Sequence, residues 1–192
     1  MQVSMSKQDF IMGVLLIAFW VYAYDSAGGF DDWFCTEIYF ANSLLEKAIR
    51  QELSKEHEPI TSCDADSLRK LEITDRRISD ISDLQNFTNL EFLVLRNTDI
   101  DDISSFSKLS NVSYLSLQSN RIQDIQPLKN LSDLHTLYVT NNNISDISPL
   151  LNLTNLTYLW LINNAFQSDS AACLIHIPAL KAQGVQIFEN SC

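Results

Sequence analysis

The chain has 192 residues, 46% of them hydrophobic, with a formal net charge of −11 and only four glycines and four prolines. That is the size of one domain plus an appendage, with enough apolar material for a core. A pI near 4.5 argues against a nucleic-acid partner, which needs clustered Lys and Arg, and so few Gly and Pro leave no flexible or collagen-like segment.

The chain begins with the apolar run FIMGVLLIAFWVYAY at residues 10–24, after Lys7 and before Asp25. At about 1.5 Å per residue it spans roughly 22 Å, short of the roughly 30 Å hydrocarbon core and suited to a signal-peptide core. Ala23, with Val21 two places earlier, offers a cleavage site. Residues 1–23 are therefore expected to be a signal peptide, or a membrane anchor if left uncleaved. Either outcome places the remainder outside the cytoplasm, periplasmic, secreted or at the cell surface.

Residues 30–67 read as an N-terminal cap. SLLEKAIRQELS sets Leu44, Leu45, Ala48, Ile49 and Leu53 at helical spacing, and Ser43 with Glu46 predicts a capping box. The repeats fill residues 68–167. Leu71, Leu93, Leu115, Leu137 and Leu159 are spaced by 22, and so are Ile73, Leu95, Leu117, Val139 and Leu161. Further registers hold Leu68, Leu90, Val112, Leu134 and Leu156; Ile78, Ile100, Ile122 and Ile144; and Ile81, Ile103, Ile125 and Ile147.

The spacing L-x-x-L-x-L-x-x-N-x-I is that of leucine-rich repeats. Its L-x-L alternation makes one short strand per copy, and no copy buries its apolar face until neighbours stack. The expected fold is an α/β solenoid, with short parallel strands on a concave face and 3₁₀ or turn segments on the convex one. Asn120, Asn142 and Asn164 should satisfy backbone groups of the turn as a ladder. Arg76 and Thr98 depart from that register, so the first two coils are expected to be irregular. Asp80, Asp102, Asp124 and Asp146 are expected to cap tight turns rather than bind calcium, which wants six to eight oxygens.

Residues 168–192 read as a C-terminal cap: a helix from about Ser170, an end at Gly184 and a last strand at 185–188. The four cysteines allow three pairings, and the local choice is Cys35–Cys63 with Cys173–Cys192. His176 near Cys173, with His57 and His135, is the best an enzyme could offer. No nucleophile elbow, metal pair or phosphate loop accompanies them, so neither catalysis nor a cofactor is expected.

The unit LxxLxxLxLxxNxIxDIxPLxxL resembles the 22-residue bacterial leucine-rich repeats of the internalin type, and residues 43–84 look like the N-terminal cap of that group. The resemblance covers roughly residues 44–188 and implies the fold; it does not specify a partner.

Function then lies in the variable strand positions. Flanking the inward leucines, one column reads Lys70, Phe92, Tyr114, Thr136, Tyr158 and the next Glu72, Val94, Ser116, Tyr138, Trp160. With Arg96 and Ile162 in a third, these aromatics match the residue types that anchor protein interfaces. The expected site is Phe92, Val94, Arg96, Tyr114, Tyr138, Tyr158, Trp160 and Ile162, on a monomer that binds a protein ligand. If residues 10–24 are retained, the alternative is a membrane-tethered adaptor.

Overall fold

The structure is a computed structural model that describes residues 35–167, 170–190 and 192. Chain contacts separate Met1–Thr36 from Glu37–Cys192, and every helix and strand described lies in the second unit. The predicted signal segment lies outside the described residues. Among the described residues no helix is long and apolar enough to cross a membrane.

Six strands form one parallel sheet in chain order: β1 (Lys70–Thr74), β2 (Phe92–Arg96), β3 (Tyr114–Ser116), β4 (Thr136–Tyr138), β5 (Tyr158–Trp160) and β6 (Gln186–Phe188). Register is pinned by the repeat, since Leu71, Leu93, Leu115, Leu137, Leu159 and Ile187 pair side by side. The five leucines are fully buried. A one-residue slip would turn that whole row to solvent, which is why the pairing is unambiguous.

Opposite the sheet, each coil makes a 3₁₀ turn: Ser82–Asn86, Ser104–Lys108, Gln126–Asn130 and Ser148–Asn152. The recurring aspartates open these turns as expected. Asp80, Asp102, Asp124 and Asp146 each accept the backbone N–H two residues on, at 2.8–3.0 Å. The isoleucine registers and the aromatics Phe87 and Phe106 fill the space between sheet and turns.

The asparagine ladder is also present. Asn142 donates to Leu117 O (2.9 Å) and Val139 O (3.1 Å) and accepts from Ile122 N (3.1 Å), so one amide ties two coils together. Asn120 does the same one coil earlier and also accepts from the Thr98 hydroxyl at 2.9 Å. The irregularity expected of the first two coils is thereby confined to their turns. Their strands are the longest, at five residues each, and only there does a second residue, Asp99, join the turn at positive φ (63°).

At the N-terminal end, α1 (Ser43–Leu53) is capped by Asn42, not Ser43: the Asn42 side chain accepts from Leu44 N and Leu45 N. Asparagine is at least as strong a cap as serine, and Glu46 is held by Arg50 at 2.7 Å, so no box forms at Ser43. The capping box is instead on α2 (Ser62–Ser67), where Thr61 and Asp64 bond reciprocally. At the other end a π-turn, Ala172–His176, precedes α3 (Ile177–Ala182). Pro178 lacks the N–H that would bond Leu174 O, and the wider turn absorbs this. Gly184 follows at φ 94°, then β6, as read from sequence. Cys173 bonds Cys192, and Cys35 and Cys63 are likewise disulfide-bonded.

Candidate binding face

Strand alternation that sends the leucines inward sends the intervening residues to the concave surface. There the aromatics form one continuous stack rather than two separate columns. Phe92 lies on Tyr114 with centroids 4.4 Å apart and planes 10° off parallel. Tyr138 lies on Trp160 at 3.9 Å and 13°, and Trp160 on Phe188 at 4.6 Å and 10°. The two segments join at Tyr114 and Tyr138, tilted by 45° at 5.6 Å. That junction crosses from one column to the next. It is possible because the residues in register, Thr136 beside Tyr114 and Ser116 beside Tyr138, are small. Lys70 extends the stack to β1, its ammonium 5.5 Å from the centre of the Phe92 ring.

The row thus touches all six strands. Its rings use their faces on one another and offer edges, tips and the tyrosine hydroxyls to a partner. Neighbours hold each ring in place, so little side-chain entropy remains to be lost on binding. Burial, followed by the neighbouring Tyr138, pushes the Tyr114 phenol above its usual range.

The face is divided by charge. β1 and β2 present Lys70, Glu72 and Arg96, whereas from β3 onward the outward strand positions are Tyr114, Ser116, Thr136, Tyr138, Tyr158, Trp160, Gln186 and Phe188. None of these eight is charged, in a chain carrying 24 acidic and 13 basic side chains. Depletion of charge with enrichment of aromatics is the composition of an interface centre.

Of the residues singled out from sequence, Phe92, Tyr114, Tyr138 and Trp160 are brought into the stack. Tyr158 stands beside Trp160 at 6.0 Å and is 39% exposed. Arg96 is exposed at the end of β2 and Ile162 is half-buried beyond β5. Val94 is only 5% exposed, so it packs under its neighbours and presents almost no surface. Sequence reasoning passed over Phe188, 42% exposed, because β6 falls outside the 22-residue period. Its signal was the alternation at the last strand: Val185 and Ile187 turn inward, which puts Gln186 and Phe188 on the outward face.

The residues weighed for catalysis are dispersed. Cys173 is a disulfide half, His135 is exposed with its Nδ1 on Asp133 O, and His176 faces the Asp146 carboxylate at 3.8 Å. Among the described residues no group of three or more His, Cys, Asp or Glu could hold a metal ion.

Comparison with known proteins agrees with this architecture. A leucine-rich repeat family model (two copies per match) covers residues 110–151 and 132–172. No curated protein matches the sequence. Among solved structures, the chain is similar to the internalin InlF of Listeria monocytogenes at 26% identity and a TM-score of 0.61. That alignment covers 79% of this chain and 51% of the internalin, so the chain spans about half its length. The internalin C2 of the same organism aligns at 20% identity and TM-score 0.48, over 79% of this chain and 94% of that one. The leucine-rich repeat ectodomain of the receptor kinase SOBIR1 from Arabidopsis thaliana aligns at 19% identity and TM-score 0.51, over 82% and 78%.

Proposed function

We propose that this chain, a leucine-rich repeat protein of the internalin-like kind, is a non-enzymatic module that binds another protein on its concave aromatic row. The repeat fold is in general a protein-interaction scaffold. The observation that carries the finer reading is the stack itself: five rings, from Phe92 to Phe188, held in line among outward strand positions that are all uncharged from β3 onward. A monomer with no use for that surface gains nothing from presenting a tryptophan and a phenylalanine there. The disulfides and the apolar segment at residues 10–24 support an exported, extracellular setting.

Trp160 is the largest ring of the row and has rings stacked on both of its faces. Trp160→Ala should weaken binding of the purified partner by about 2 kcal/mol or more, roughly thirtyfold, in titration calorimetry. Far-UV melts of the variant separate this from loss of fold. A loss below about 0.5 kcal/mol in a folded variant removes Trp160, and with it the row, as the anchor.

A further inference from the structure

Arg96 ends β2 at the border between the charged and uncharged parts of the concave face. Its surroundings are acidic, yet their acids are engaged elsewhere. Glu72 lies 3.6 Å from the Lys70 ammonium, and Asp75 accepts the Asn97 amide at 2.8 Å. Arg96, Glu72 and Asp75 line one open cleft with Thr74, Asn97 and Ser119. Arg96 itself makes no ion pair with any described residue, while Lys70, the other cation on this face, is held by Glu72 and by the Phe92 ring. An exposed guanidinium beside an aromatic row, with its own acids already occupied, has a planar set of donors suited to a carboxylate.

We infer that Arg96 is the specificity determinant of the concave site, and that the partner brings an Asp or Glu side chain to it from a segment whose apolar residues lie over Tyr138 and Trp160. This rests on the concave face being the binding site. The geometry sets a spacing. β2 and β5 are three strands apart, about 14 Å at roughly 4.8 Å per strand, with a further offset of two residues along the strand. The carboxylate and the apolar anchor must therefore stand roughly 14–16 Å apart, four or five residues in an extended segment or about ten in a helix.

The test uses the full chain, immobilised, to select from a phage-displayed library of random twelve-residue peptides, followed by calorimetry on the synthetic peptides selected. The expected result is peptides that share an Asp or Glu at one of those spacings from an aromatic or aliphatic residue. Arg96→Glu should lower their affinity at least tenfold, and replacing the peptide's acid by Lys should restore binding to that variant. Selected peptides without an acid, or affinities within twofold of the parent for Arg96→Glu, overturn the assignment. The Trp160→Ala variant separates the two layers. If it alone loses binding, the face stands and the role of Arg96 falls; if neither variant loses binding, the concave reading falls as well.

Discussion

The proximal coils, β1 and β2, and the distal coils, β3 to β5, share one core and differ in nearly everything laid over it. Their inward leucines are equally buried, and the same parallel pairing runs through both. Yet the asparagine that stitches one turn to the next is Asn120, Asn142 and Asn164 in the distal coils, and Arg76 and Thr98 in the proximal ones. The concave surface changes at the same border, from charged and mixed to aromatic and uncharged. A solenoid can vary its face coil by coil because each repeat depends mainly on its neighbours, so stability and recognition are written in different positions.

That separation can be broken most forcefully in the core. Leu93→Ala and Leu137→Ala should each cost about 3–5 kcal/mol in urea denaturation, alike in both halves, because each removes a fully buried rung. A difference between them of more than about 1 kcal/mol would mean that the two halves are not packed to the same standard. The turns should behave oppositely. Asn142→Ala leaves the buried Ile122 N without its acceptor and should cost about 2 kcal/mol. It also removes one of the two asparagine donors on each of Leu117 O and Val139 O, which keep Asn120 and Asn164. Arg76→Ala, in the same register but half-exposed, should cost under about 0.5 kcal/mol. Equal costs for these two would show that the asparagine ladder does not stabilise the distal coils.

How far these positions are legible in the sequence depends on how local their cause is. The leucine and isoleucine registers are visible because burial demands the same residue type at every copy. The capping aspartates are visible because each answers a backbone N–H two residues away. A further ladder was hidden: Asp75, Asn97, Ser119, Asn141 and Asn163 all sit at φ 51–58°, one place before the asparagine register. Their side chains bond from coil to coil, as Asn163 does with Asn141 at 2.8 Å and Asn190 with Asn163 at 2.7 Å. The clue was a column of Asn, Asp and Ser one place before that register, types that tolerate the left-handed region or small turns. The aromatic positions were legible one by one, but the stack was not. Its crossing from Tyr114 to Tyr138 depends on small neighbours in adjacent strands, a cross-strand fact that a single register does not carry. The cap at Asn42 went to the neighbour of the predicted residue because two capping side chains compete there and only one is placed to accept.

A smaller loss than that of a core rung or a ladder asparagine is expected at the proximal end alone. Burial raises the pKa of the Asp64 carboxyl, but hydrogen bonds from Lys55 and from the Thr61 backbone and hydroxyl outweigh it and hold the group below the usual carboxylate range. Asp80 is also held low, chiefly by the Ser82 N–H. A depressed carboxyl favours the folded state when ionised. Its contribution is therefore complete above the unfolded value, near 4, and disappears as pH falls through the lower folded value. Thr61→Ala should cost about 1 kcal/mol at pH 7 by removing the cap of α2. The Asp64→Asn variant should be less stable than the parent at pH 7 and approach it at pH 2. Hydrogen exchange would locate the effect: on acidification, amides of α2 and β1 should lose protection before those of β4 and β5, whose ladder is built from uncharged amides. Uniform loss along the chain would show that acid acts on the coils as one cooperative unit, and that the proximal cap is not where it first gives way.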